Sequence, residues 1–251
     1  MGANQTTVST VERQEESWAA TSRRALRRLA AVTWAGALLG LLVGGVGSRL
    51  AMMLLARLNP GAAGTVSDDG FVMGQLTMET LDLLATTTLI GVFGGGVYFV
   101  LRGLMIGPRW LQILSISVGP AVVVGSILVH VDGVDFTLLG PVWLAIVMFV
   151  VIPGVYAAIL TVLAERWLAP EGRFMTSPFF LAVSPLLLWV PIAPLLAALL
   201  LGLAVFEVVR RTPGGAALLG HPAAPWLIRG ALVVLFAVAL VDLIQDTDTL
   251  T

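Results

Sequence analysis

Apolar runs of bilayer-spanning length recur along the whole of this 251-residue chain. No other feature constrains the fold as strongly. A hydrocarbon core about 30 Å thick is crossed by a helix of about 20 residues. Inside it only helices and closed barrels satisfy every backbone donor and acceptor. The runs are Leu29–Leu55, Thr80–Leu101, Trp110–Val131, Leu138–Leu163, Met175–Val190, Ile192–Val209 and Trp226–Ile244. Charged residues make up 12% of the chain, half the roughly 25% of a soluble domain. The pattern predicts an all-α polytopic transmembrane bundle of seven spans. The two runs within 175–209 fall near or below the ~17-residue minimum for crossing. Six spans, or a re-entrant pair at 175–209, are therefore the alternatives.

Val190-Pro191-Ile192-Ala193-Pro194 favours a turn between those two runs, because each proline removes a donor and disfavours helix before it. Tryptophan belongs at membrane interfaces. Seven spans place Trp34, Trp110, Trp167 and Trp226 at the inner interface and Trp143 and Trp189 at the outer one. All basic residues are arginine, and arginine-rich loops stay cytoplasmic. Seven spans with the amino terminus inside put twelve of the fourteen there, leaving only Arg49 and Arg57 on the outer half. The expected organisation is a cytoplasmic, disordered tail at 1–28 ending in the cluster Arg23, Arg24, Arg27 and Arg28. A single transmembrane domain at 29–245 and a short extracytoplasmic tail at 246–251 follow. The first run has no small-residue cleavage site and reads as a retained helix rather than a signal peptide. The expected location is a bacterial plasma membrane.

Two glycine series stand out. Gly36, Gly40 and Gly44 repeat every four residues in the first span, and Gly91 and Gly95 do so in the second. Small residues at this spacing let helix backbones approach closely in lipid. The expectation is direct packing of span one on span two, with a homo-oligomer seam as the sharper alternative.

Arg49 interrupts the apolar run Gly44–Leu55. It lies 15 residues past Trp34, about 22 Å further along a helix. An unpaired charge at such depth costs a few kcal/mol unless it snorkels or meets a partner. The candidates are Asp68 and Asp69 in the loop after span one, then Glu79. Asp82 shares a helical face with Glu79. Span three ends in Ser126 and His130, with Asp132 beyond. The layout brings Arg49, Asp68, Asp69, Glu79, Asp82, His130 and Asp132 to one end of the bundle as a ligand-binding or structural cluster. No catalytic or metal-binding set is assigned. Ser126 and His130 lack an oxyanion-hole motif, and a metal would require three or more of these groups to converge.

Composition excludes several classes. There is no lysine to hold retinal and no cysteine for thiolate metal ligation, haem attachment or thiol redox chemistry. No cofactor is expected. A net charge of −1 gives no electrostatic case for nucleic acid. The expected partners are the lipid bilayer and either a second copy or an unidentified membrane protein. The stretch Gly45-Val46-Gly47-Ser48-Arg49-Leu50-Ala51-Met52, with Ser67-Asp68-Asp69-Gly70-Phe71, resembles an uncharacterised group of actinobacterial multi-pass membrane proteins. The resemblance covers the first hundred or so residues and implies no activity. It implies only that Arg49 and the Asp68-Asp69 loop form a unit. Three functions remain open: a non-enzymatic binding or scaffolding protein, a small-solute or lipid transporter subunit, and a membrane-embedded enzyme using the outer cluster.

Overall fold

The computed structural model describes residues 3–250 apart from 63, 68, 69, 71, 132, 216–220 and 222. It is helical, and among the described residues the nearest approach to a sheet is one bridge between Val66 and Val72. Helix α1 (Ala3–Leu39) runs through a π-helical segment (Gly40–Gly47) into α2 (Ser48–Leu58). Then follow α3 (Glu79–Leu101), α4 (Arg109–Leu128), α5 (Val134–Thr137), α6 (Val142–Leu168), α7 (Arg173–Thr176), α8 (Phe179–Val183), α9 (Ala193–Arg211) and α10 (Ala224–Leu250). Helix α1 starts at Ala3 and takes in the polar amino-terminal segment. Its Glu, Gln, Arg and Ala residues are good helix formers. At the other end α10 continues to Leu250, through most of the stretch expected to be a tail.

Among the described residues, five helical stretches are long and apolar enough to cross a membrane: Ala20–Leu58, Glu79–Leu104, Arg109–Leu128, Val142–Thr176 and Pro225–Leu250. They correspond to five of the seven expected runs. The run Met175–Val190 does not form one helix. It breaks into α7, α8 and a 3-10 turn over Ser184–Trp189. Pro178, Pro185 and Pro191 lie at the breaks, each lacking the N–H that a continuous helix would use; Ser177, before Pro178, is extended, whereas Ser184 and Val190 keep α-region angles.

Helices α1 and α3 are antiparallel and in backbone contact. A Cβ on Gly36 would collide with the Gly91 carbonyl oxygen, and one on Gly40 with the Thr87 carbonyl oxygen. A Cβ on Gly95 would collide with the Val32 carbonyl oxygen. At Gly44 the approach is looser, with the Thr87 Cβ 3.3 Å from the added carbon. A second seam joins α4 to α6. A Cβ on Gly154 would lie 3.1 Å from the Ala121 Cβ, and one on Gly125 would lie 2.9 Å from Val150 Cγ2. Ser117 Oγ donates to the Gly154 carbonyl at 2.9 Å. Ser117, Ala121 and Gly125 are spaced four apart, the same small-residue device built from three residue types.

The segment from 173 to 192 lies along α1 at one end of the bundle. Arg27 Nη1 donates to the carbonyls of Phe174, Met175 and Ser177 at 2.9, 2.7 and 2.8 Å. Six residues further along α1, Thr33 Oγ1 accepts from Trp189 Nε1 at 2.9 Å. Trp189 is 1% exposed and packs with Ala37 and Val92. The turn at Val190–Ile192 therefore sits about 10–15 Å along α1 from Arg27. That is well short of the far end, where Arg49 and Asn59 lie. Trp189 is thus a buried anchor rather than the outer-interface residue expected from sequence. The α10 helix also begins at the Arg27 end, where Arg229 Nε donates to the Leu104 carbonyl at 2.8 Å.

Candidate functional site

At the end opposite Arg27, the chain between α2 and α3 folds into a small hairpin. The Met73 amide donates to the Thr65 carbonyl at 2.9 Å and the Gly64 amide to the Met73 carbonyl at 3.1 Å. Gly64, Gly70 and Gly74 have φ of 86°, 79° and 75°, left-handed values that glycine adopts without strain. The hairpin's returning arm passes over Arg49.

Arg49 is 4% exposed. Its Nη2 donates to the carbonyls of Val72, at 3.3 Å, and Gln75, and its Nη1 lies 3.9 Å from Met52 Sδ. Both carbonyl bonds leave from the one nitrogen Nη2, to acceptors three residues apart. Hydrogen bonds from a charged donor are the stronger kind. The arginine latches the hairpin's returning arm to the end of the first crossing helix.

The other expected members of this cluster are placed unequally. Asp68, Asp69 and Asp132 lie outside the described residues. Glu79 opens α3, is exposed, and is near enough to Arg49 for the charges to attract. Asp82 is exposed on the next turn. His130 is exposed beyond the end of α4, with Nδ1 3.1 Å from the Leu128 carbonyl and its ring edge-on to Phe136 at 6.3 Å. Ser126 donates to the Val123 carbonyl of its own helix at 3.2 Å. Among the described residues, no group of three or more His, Cys, Asp or Glu side chains is placed to hold a metal ion.

Sequence reasoning missed a second clamp at this end. Asn59 Nδ2 donates to the Leu55 carbonyl at 2.9 Å and to the Gly140 carbonyl at 2.6 Å, while its Oδ1 accepts from the Gly140 amide at 3.0 Å. The side chain closes α2 and ties it to the segment leading into α6. Below it, Leu55, Ala62, Met73, Phe136, Leu139 and Leu243 form one apolar cluster, so the loops at this end are packed as a lid. The asparagine-proline-glycine sequence signals the turn; nothing local signals the partner 81 residues away.

Polar groups deeper in the bundle are also occupied. Tyr156 Oη, from α6, donates to the Gly91 carbonyl of α3 at 2.7 Å. Towards the Arg27 end, Glu165 accepts from Tyr98 Oη at 2.8 Å and pairs with Arg102 at 3.0 Å. Fold and site together define an all-helical protein with, among the described residues, five helices able to cross a membrane and a latched hairpin over one end. Comparison with family models, with curated proteins and with solved structures finds no match.

Proposed function

We propose that the protein is a non-enzymatic binding or scaffolding protein of a bacterial plasma membrane, presenting the latched hairpin on its outer face. One observation carries this reading: Arg49, the charge set deep in an apolar run, grips the backbone carbonyls of Val72 and Gln75. The guanidinium is used to hold a loop in shape, as a docking rim requires. On this reading the Arg27 end is cytoplasmic. Support comes from the arginines at 23, 24, 27, 28, 102, 109, 166, 173 and 229, which belong to that end, as inside loops demand. The chain crosses five times, with 177–211 as a re-entrant pair, and the carboxy terminus is outside. A photo-crosslinker at Leu76, 69% exposed beside the rim, is expected to give one discrete adduct in the native membrane. That adduct should be absent in Arg49→Gln. Solute flux or substrate turnover that depends on Arg49 in proteoliposomes, with no adduct, would overturn the proposal.

Transport of a small solute or lipid is the second reading. It is favoured by the broken segment Phe179–Trp189, which enters the bundle part-way. Interrupted helices near the midplane are where transporters build their sites.

A further inference from the structure

We infer that the cleft between α1 and the α7–α8 segment binds one anionic phospholipid, with the phosphate on Arg173 and an acyl chain between Trp34 and Leu188. The inference rests on the membrane placement above, not on the choice between scaffold and transporter or on which end faces the cytoplasm. The cleft holds about 390 Å³, within the roughly 300–1,000 Å³ of small-ligand sites. Its walls are Trp34, Phe174, Leu181, Leu187 and Leu188, and Arg173 stands on its rim. Leu181 and Leu187 are 67% and 71% exposed, so the apolar wall opens sideways, the direction from which a lipid arrives.

The order of groups along the cleft matches the order along a phospholipid. Arg173 begins the short helix whose carbonyls hold Arg27. Leu188 precedes Trp189, which is anchored to Thr33 deeper in the bundle. Charge is thus at the bundle end and apolar surface lies inward. The side chain of Trp34 is 41% exposed. Its indole N–H has no acceptor among the described residues, and lies where a phosphate or ester oxygen can supply one.

The local charge favours an anion. Arg173 lines the cleft, and Arg23 and Arg27 stand beside it, each 5.8 Å from the Phe179 ring. The nearby described acids are Glu171, exposed two residues from Arg173, and Glu165, already paired with Arg102. Basic pockets between membrane helices on the cytoplasmic side take anionic headgroups. A zwitterionic lipid would bring its own cation towards the same arginines.

The full chain, purified in detergent, would be offered phosphatidylglycerol or phosphatidylcholine. Retained lipid would be counted by native mass spectrometry and melting followed in parallel. One phosphatidylglycerol per chain is expected, with a raised melting temperature, and phosphatidylcholine should wash off. Arg173→Gln should weaken retention by roughly tenfold, the effect of losing one charge-assisted contact. Leu181→Trp, which fills the cleft from an exposed position, should do the same; it carries the test if Arg173→Gln does not fold. Arg24→Gln, outside the cleft, should retain the lipid. Three results would each overturn the site. One is equal retention of both lipids. Another is normal retention in Leu181→Trp with loss in Arg24→Gln, the mark of diffuse attraction to a basic surface. The last is full displacement by millimolar inorganic phosphate, which would make it a free-anion site.

Discussion

Trp189 Nε1 is hydrogen-bonded to Thr33 Oγ1 at 2.9 Å, and both residues are all but fully buried. The bond joins α1 to a segment 156 residues later and fixes how far that segment enters the bundle. The pair also closes an apolar contact with Ala37 and Val92.

Trp189→Phe keeps most of the ring and strands the threonine hydroxyl. It should lower stability in detergent by about 1 kcal/mol, the usual net worth of a buried hydrogen bond. Trp189→Ala also opens a cavity and should cost about 3–5 kcal/mol. Thr33→Val should cost as much as Trp189→Phe, and the double variant little more than either. Additive losses in a melting series would mean that the two residues act independently.

The glycine seam should show a graded response. Gly91→Ala must displace backbone of α1, and a cost at or above the ~3 kcal/mol end of overpacking is expected. Gly44→Ala meets only the Thr87 side chain at 3.3 Å and should be tolerated. Gly119→Ala, where nothing lies within 4 Å, should be neutral or slightly stabilising, since alanine is the better helix former. Equal melting temperatures for all three variants would count against the close approach of α1 and α3.

Topology can be read with single cysteines, because the chain has none of its own. Leu76→Cys should react from outside intact cells with a membrane-impermeant maleimide. Val190→Cys, in the turn beside Thr33, should not. Labelling of both positions from outside would restore the seven-span layout.

Arg49→Ala should release the hairpin without unfolding the bundle. Amide exchange at Gly64 and Met73, whose bonds close the hairpin, is expected to speed up. Exchange in the α4–α6 seam should be unchanged. Unaltered protection at Gly64 and Met73 would show that the latch does not hold the loop.

The features legible in sequence were those written as spacing along one helix. Gly36, Gly40 and Gly44 announce a face, and the structure sets that face against Gly91 and Thr87. The α4–α6 seam has the same spacing in Ser117, Ala121 and Gly125. A search for small residues rather than glycine alone would have found it. The fate of Arg49 was half legible. Its depth demanded a partner, and the acidic loop drew attention to carboxylates. The described acceptors at Val72 and Gln75 are backbone carbonyls, which every residue carries and no sequence distinguishes. Trp189 was misplaced for a related reason. Tryptophan favours interfaces because its N–H needs a partner, and Thr33 supplies one inside. The broken run at 175–190 was readable from its prolines, but how far it enters depends on Arg27 and Thr33, contacts distant in sequence.

The π-helical segment over Gly40–Gly47 sets the phase of everything after it. A π turn holds more residues than an α turn, so each of its residues advances the chain by a smaller angle than the ~100° of an α-helix. Arg49, two residues past the segment, owes its compass bearing to that accumulated lag. Rewound as plain α-helix, the same residues would swing the guanidinium to another side of the bundle, away from Val72 and Gln75. This glycine-rich stretch therefore serves two distant neighbours at once: Gly40, Gly44 and Gly45 let α3 come close, and the segment as a whole acts as a clutch that decides which way the arginine faces.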